Sequence, residues 1–267
     1  MRMSHSLSVI ILKAILKFRK VGLVLAGHGY AARVTDPVIE SQHQDLSRLD
    51  HAVNLCRALG FRFISMDELI CLSQQGFHNP YSWVHLTFDD GFENNFTTLY
   101  PFLQKNNLPF TFFVTTGAVR ENEWQFVDRL FCALLHTDHG FFEPRAGERL
   151  PIPEDRQARV DFAREMFEEL RQAGRNAAET LLAAVDDLLS KNDWQMVRKR
   201  YCENQLLNLQ QLGQLSSDPL GYIGSHGNHH FSFNSSFQED DIRHEMNSSK
   251  AWLDDKLKTK TQAFAYP

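Results

Sequence analysis

Two adjacent carboxylates follow a predicted apolar strand, Trp83 to Phe88, in the segment Asp89-Asp90-Gly91. Two carboxylates in such a place cannot both be buried and ionised without a cation or a shared proton. An ordinary strand-to-helix turn, with aspartate as the helix cap and Gly91 for its backbone freedom, explains the same residues without any chemistry. The pair therefore makes Asp89 and Asp90 candidates for metal binding or proton transfer.

Three histidines lie within five residues at the end of another predicted strand, Gly221 to Ser225. Neutral imidazoles are common ligands of divalent metals, and the spacing of His226 and His230 lets one turn present two of them. His229, in contrast, is expected to be solvated. Two imidazoles and one carboxylate form a facial set with open positions for water and substrate. In parallel βα folds the functional loops lie at the carboxyl ends of strands, so these placements indicate a site.

The elements that must position these residues alternate between short apolar runs and helical patterns. This alternation predicts βα units and a parallel sheet or barrel. The predicted strands cover residues 22–26, 61–65, 83–88, 110–115, 221–225 and 262–266. The helices predicted between them cover about 45–59, 95–105 and 240–257.

The composition of the chain changes between about residues 120 and 205, where apolar residues recur at helical spacing among Ala, Glu, Arg and Gln. We interpret this stretch as a helical insertion in a barrel domain over residues 21–267, and as a candidate lid or groove wall. A small separate domain is the alternative, although no Pro/Gly/Ser-rich linker frames it. Residues 1–20 are predicted to form an amphipathic helix that packs on the body or lies on a membrane surface.

The composition excludes a disordered or collagen-like chain. With 28 Lys and Arg against 33 Asp and Glu, the net charge is −5, which gives no sign of a nucleic-acid partner. No segment reaches the ~18 uninterrupted apolar residues of a membrane-spanning helix. Four separate cysteines without a Cys-x-x-Cys are typical of free thiols in a reducing compartment. We therefore expect a cytoplasmic protein without a secretory signal.

Taken in order along the chain, these residues resemble the polysaccharide deacetylase family, also called carbohydrate esterase family 4 or the NodB homology domain. The segment 87–91, Thr-Phe-Asp-Asp-Gly, matches the first family motif completely. The segment 226–230 is similar to the second motif, His-(Ser/Thr)-x-x-His, with Gly227 in the Ser/Thr place. The segment 263–267, Ala-Phe-Ala-Tyr-Pro, resembles the start of the third motif, which is written around Arg-x-Pro-Tyr.

The resemblance implies a distorted (β/α) barrel, a divalent metal that is usually Zn²⁺, and hydrolysis of N-acetyl groups on an amino-sugar polysaccharide or oligosaccharide. It also implies that Asp89 is the general base and that the metal ligands are Asp90, His226 and His230. The residues that would bind substrate are Tyr266 and Pro267. This agrees with the chemistry of the residues. A metal polarises the acetyl carbonyl and lowers the pKa of bound water, and a neighbouring carboxylate accepts the proton.

Two features depart from the family pattern. Ala265 stands where the family often has an arginine that orients the base. The family also has residues beyond the position of Pro267 that supply an oxyanion contact, a hydrophobic pocket and a histidine acid. We therefore expect residues 1–267 to form a barrel that is incomplete at its C-terminus, to aggregate readily, and to deacetylate chitooligosaccharides slowly or not at all.

Two other functions are open at this point. One is a carbohydrate-binding protein of the same fold whose catalysis is impaired, which the missing later motifs favour and the intact aspartates and histidines oppose. The other, ranked last, is a metal-dependent phosphohydrolase, which would need further metal carboxylates and usually a second ion.

Overall fold

The computed structural model describes residues 19–77 and 81–267, so the helix predicted over residues 1–20 lies almost entirely outside the described residues. The strands are β1 (Gly22–Gly27), β2 (Gly29–Tyr30), β3 (His43–Gln44), β4 (Arg62–Phe63), β5 (Trp83–Phe88), β6 (Phe110–Val114), β7 (Phe141–Arg145), β8 (Glu148–Pro151) and β9 (Gly221–Ser225). The helices are α1 (Leu46–Leu59), α2 (Met66–Gln74), α3 (Tyr100–Lys105), α4 (Thr116–Glu121), α5 (Phe126–His136), α6 (Arg156–Gln172), α7 (Arg175–Asp186), α8 (Lys191–Arg200), α9 (Leu209–Ser217) and α10 (Glu239–Leu257).

The central sheet is parallel and has the order β1-β5-β6-β9, with the short strand β4 also paired to β5. The predicted fold class, an α/β fold with a parallel sheet and helices between the strands, agrees with this architecture. The strand predicted over residues 262–266 is reduced to one parallel bridge between Ser225 and Phe264. Within the described residues the sheet stays open between β1 and this bridge.

Strands β5 and β6 lie at the centre of the sheet, and every residue in both is buried. A parallel strand that is covered on both faces needs mainly apolar residues on both. Among the polar exceptions, His85 and Thr111 satisfy each other through a hydrogen bond between the two strands. Aromatic rings fill the space between the strands and the helices, with Phe88 and Phe112 at 5.6 Å and Phe110 and Phe112 at 4.9 Å between ring centroids. This rigid core ends at the residues that carry the site.

Local signals set the helix ends close to the predicted ones. Asp45 caps α1 through a hydrogen bond to the backbone of Ser47, and Gly60 ends that helix in the left-handed region, at φ 83°. The predicted helix over residues 95–105 begins instead as a π-helical turn, Asn95–Leu99, and continues as α3. No helix of the described part of the chain is long and apolar enough to cross a membrane.

A second hydrophobic core is built by α5, α6, α7 and α8 together with Trp124, Phe142 and Tyr201. Helices therefore dominate the stretch predicted as an insertion, but β7 and β8 form an antiparallel hairpin that the sequence analysis did not predict. The residues of β7 alternate between exposed and buried, which is typical of a strand with one covered face. The boundaries of the insertion stay a prediction.

Candidate active site

The aspartates follow β5 at the edge where the parallel strands end. The register pairs Gly27, the last residue of β1, with Phe88, so Asp89 is the first residue after the paired part of β5. Asp90 and Gly91 then adopt positive φ angles of 72° and 84°. For a residue other than glycine this conformation is uncommon and is concentrated at functional sites. The turn directs the Asp90 side chain inward, where it is only 4% exposed.

The histidines follow β9, beyond the neighbouring strand β6. The backbone N–H of His226 donates to the carbonyl of Val114 at 3.0 Å, which continues the sheet by one residue. Gly227 and His230 have positive φ angles of 84° and 62°, so the chain reverses between the two imidazoles. Their ring centroids lie 4.8 Å apart. We call residues 226–230 the histidine turn and residues 89–91 the acidic turn.

The two turns bring three candidate ligands together. Oδ1 of Asp90 lies 2.9 Å from Nε2 of His230 and 3.6 Å from Nε2 of His226. One ligand atom from each of the three residues lies within 4.8 Å of the others. Nδ1 of His226 is 3.0 Å from the carbonyl oxygen of Ala265 and must donate to it, because a carbonyl only accepts. The lone pair of His226 Nε2 therefore faces Asp90, as in a metal-binding histidine oriented by an outer partner.

A divalent cation fits this arrangement. Oδ1 of Asp90 is buried and accepts no well-aligned hydrogen bond among the described residues, although two imidazole nitrogens approach it. Buried polar atoms without a partner are rare in folded proteins. One carboxylate and two neutral imidazoles form a ligand set that suits Zn²⁺ and leaves positions for water and substrate.

The two adjacent aspartates have different electrostatic surroundings. Burial raises the pKa of Asp89 to about 6, and the Asp90 charge adds to this effect while His28 and His230 oppose it. Burial also raises the pKa of Asp90, but the imidazoles of His230 and His226 outweigh it and hold that pKa below its ordinary value. Burial lowers the pKa of His226 to about 4, which keeps the imidazole neutral. Carboxyl groups whose pKa values are driven apart are a common basis for different roles in one site.

The third predicted segment lies next to the ligands rather than among them. Tyr266 is 72% exposed and packs edge-to-face on Phe233 and Phe264. Pro267 approaches the histidine turn, since a Cβ placed on Gly227 would lie 3.7 Å from Pro267 Cγ. A substrate-binding role for Tyr266 and Pro267 stays a prediction.

A groove of about 560 Å³ opens beside Asp89. Its walls are mainly apolar, and they include Thr87, Phe113, Phe264 and Ala265.

Sequence analysis missed several residues that act on this site or contact it. His28 directly follows β1, and its charge acts on both Asp89 and Asp90. Its signal was available, because it also lies at the carboxyl end of a strand. Gln125 donates to the carbonyl of Asp90 at 3.3 Å, and the ring centroid of Phe126 lies 5.8 Å from that of His230. These two residues begin the segment predicted as an insertion, and no local pattern in it pointed to the site.

His229 does not behave as expected. It was predicted to be solvated, but its side chain is only 31% exposed, and Nδ1 lies 2.6 Å from a carboxylate oxygen of Glu245. Glu245 was not singled out from the sequence. The available signal was a charged residue on the same helical face as Ile242, Ser249 and Leu253, where an apolar one is expected.

Comparisons with known proteins agree with this geometry. A family model described as polysaccharide deacetylase matches residues 78–267. A search of curated proteins found no match to the chain.

Two solved structures have a similar fold. IcaB from Ammonifex degensii is 16% identical, with a TM-score of 0.55, and the match covers 93% of this chain and 75% of that one. The Streptococcus pyogenes deacetylase PplD, solved with acetate, is 17% identical, with a TM-score of 0.50, and the match covers 93% and 73%. At such low identity these likenesses establish the fold, whereas the family model spans most of the sequence and both ligand turns. The chain therefore belongs to the polysaccharide deacetylase family, whose members are amidohydrolase-type enzymes.

Proposed function

We propose that this chain is a metal-dependent de-N-acetylase of an acetylated amino-sugar polysaccharide or oligosaccharide. The observation that carries the proposal is the convergence of Asp90, His226 and His230, with the less acidic carboxyl of Asp89 beside them. Family membership supports the reaction class and favours it over a phosphohydrolase.

Asp90, His226 and His230 would hold the ion, and this set of one carboxylate and two imidazoles favours Zn²⁺. A divalent ion there supplies a Lewis acid that polarises an acetyl carbonyl and makes water more acidic. The hydrogen bond from His226 to Ala265 keeps its Nε2 free of a proton, so that the imidazole is ready to act as a ligand.

Asp89 is the proposed general base. Its Oδ1 is buried and has no hydrogen-bond partner among the described residues, so one oxygen is free to accept a proton from water. The C–N bond of the amide breaks as water adds its oxygen to the acetyl carbon, and the products are acetate and a free amine. The amine nitrogen takes up a proton, which Asp89 can return.

The test combines metal analysis with an acetate-release assay. The full chain, loaded with Zn²⁺, is incubated with acetylated chitooligosaccharides and with other polymers of acetylated amino sugars. Asp89→Asn should lower the rate by about 10²–10⁴, the range for loss of a general base, while metal content stays near that of the parent.

Two results would contradict the assignments. Metal loss in Asp89→Asn would mean that the roles of the two aspartates are exchanged. Retained metal and retained polysaccharide binding, with no acetate released by the parent from any such polymer, would favour the carbohydrate-binding protein with impaired catalysis.

A further inference from the structure

A carboxylate without solvent exposure lies in the middle of α10 and faces the histidine turn. The side chain of Glu245 is 0% exposed, and the other buried residues of this helix, Ser249 and Leu253, follow at four-residue spacing. Ionisable groups are rarely buried completely unless they are paired and hydrogen-bonded. The hydrogen bonds of Glu245 therefore indicate its role.

Both oxygens of this carboxylate bind the turn between the two candidate ligands. Oε2 of Glu245 accepts the backbone N–H groups of Asn228 at 3.1 Å and of His229 at 2.9 Å. Oε1 lies 2.6 Å from Nδ1 of His229. One side chain thus satisfies two consecutive main-chain donors and orients the imidazole that lies between the ligands.

The opposite side of the turn is held by the first residues of α4. The backbone N–H groups of Thr116 and Gly117 donate to the carbonyls of Gly227 at 3.1 Å and Asn228 at 2.8 Å. Gly117 lets α4 and the histidine turn approach closely, since a Cβ there would lie 2.4 Å from the carbonyl oxygen of Asn228. The turn is therefore bound on its carbonyl side by main chain and on its N–H side by Glu245.

We infer that Glu245 is a positioning residue that holds His226 and His230 in a metal-binding arrangement through the main chain between them, with His229 as its partner. The inference rests on the proposed metal-dependent function. Its physical basis is that a turn with two residues at positive φ, Gly227 and His230, keeps its shape only while its polar groups have hydrogen-bond partners. Without Glu245 the two N–H groups would be buried without an acceptor, and the turn would have to move to reach water.

Three variants remove different parts of the support that Glu245 gives to the turn: Glu245→Ala, Glu245→Gln and His229→Ala. Glu245→Ala removes the acceptor of both N–H groups, and its Kd for Zn²⁺ should rise about 10–100-fold, the usual cost of losing an outer partner of a metal site. Glu245→Gln keeps one acceptor oxygen, and His229→Ala keeps both main-chain bonds. For each of these two variants the increase should be smaller than for Glu245→Ala.

A matched control separates positioning from general destabilisation. Leu253 lies two turns further along α10, is 0% exposed and belongs to the hydrophobic core that the central strands form with their helices. Leu253→Ala should lower the Tm at least as much as Glu245→Gln does, with a Kd equal to that of the parent. The Kd is measured by competition for Zn²⁺ between the whole 267-residue chain and a chelator, at a temperature where circular dichroism shows every variant folded.

Each result decides between the two ideas. If the parent binds Zn²⁺ and the Glu245 variants bind it equally well, the positioning role is wrong while the proposed function stands. If Leu253→Ala weakens binding as much as Glu245→Ala, the effect is general destabilisation and the inference is also wrong. Should Glu245→Ala not fold, parent-like Kd values in both Glu245→Gln and His229→Ala would overturn it. If the parent takes up no Zn²⁺, the proposed function fails and the inference fails with it.

Discussion

The acidic turn and the histidine turn carry the candidate ligands of one site, but different groups hold them in place. The acidic turn is bound mainly by main chain, with the N–H of Asp89 donating to Gly27, and the carbonyl of Gly91 accepting from Leu207. The histidine turn depends on a side chain, the buried carboxylate of Glu245. Main-chain groups are present whatever the sequence, whereas a carboxylate must be encoded, so the two turns differ in how one substitution can loosen them.

The largest effect on metal affinity should come from removing a candidate ligand, and it should be equally large for the two turns. Asp90→Ala, or the double variant His226→Ala/His230→Ala, should raise the Kd for Zn²⁺ by more than about 100-fold, beyond the cost of losing an outer partner. Metal content after dialysis, measured by atomic emission, checks this. His229→Ala is the control and should keep stoichiometric metal. Stoichiometric metal in the double variant would mean that the ion binds elsewhere.

A smaller effect on metal affinity should come from displacing the histidine turn while both of its candidate ligands stay unchanged. Gly117→Ala places a methyl group against the carbonyl oxygen of Asn228, so we expect a loss of about 1–3 kcal/mol in the free energy of unfolding, as for overpacked sites. The Kd for Zn²⁺ should rise by about tenfold. Urea denaturation and chelator competition measure the two quantities.

The control for that variant is a glycine with open space around it. Gly213 lies inside α9, and a Cβ there would meet no atom within 4 Å in the part of the chain that the structure describes. Gly213→Ala should stabilise the protein by about 0.4–1 kcal/mol and leave the Kd unchanged. If both variants bind Zn²⁺ like the parent, contact with α4 does not shape the histidine turn.

Removing side-chain support from the acidic turn should have a still smaller effect on metal binding. Gln125 donates to the carbonyl of Asp90 and, at 2.9 Å, to the hydroxyl of Thr115. Gln125→Ala should cost about 1 kcal/mol of stability, typical of a lost hydrogen bond, and should change the Kd far less than Glu245→Ala does. Equal losses of affinity in the two variants would remove the distinction between the turns.

The smallest change concerns a third carboxyl that acts on the acidic turn from α5. Burial, and then the charges of Asp90 and Glu40, raise the pKa of Asp128 well above its ordinary value. The folded chain therefore holds a proton that the unfolded chain releases, and this group makes the protein less stable as the pH rises above about 4. Asp128→Asn cannot titrate, so its stability relative to the parent should increase with pH.

Urea denaturation of both proteins between pH 4 and pH 8, with a chelator present so that metal release does not contribute, measures that difference. Parallel stability curves for Asp128→Asn and the parent would show that the carboxyl titrates normally.

The sequence predicted the parts of the fold and site whose causes are local. The predicted strands over residues 83–88 and 221–225 have the observed bounds of β5 and β9, because turn residues follow each of them directly. The aspartate pair and the histidines were expected at one edge because parallel strands end there, whereas the choice of Asp90 as the ligand came from the family resemblance. In the structure Asp90, His226 and His230 do lie together at that edge.

Other features depend on contacts between distant residues, which no local pattern contains. Glu245 is 17 residues from Asn228, and the carbonyl of Asp90 is 35 residues from Gln125. The segment predicted as the last strand makes a single bridge, because its pairing depends on which chain lies beside it rather than on its own β propensity. The hairpin of β7 and β8 was missed because helical spacing dominates the residues around it.

The way the histidine turn is bound also determines when its conformational entropy is lost. Four consecutive N–H groups, those of residues 226–229, already have acceptors in the protein before any ion binds. Ordering a residue costs about 1–2 kcal/mol in backbone entropy, and here that cost falls on folding rather than on metal uptake. The turn is irregular in shape but is pre-organised, and amide hydrogen exchange in it should be slow, as in the neighbouring strand.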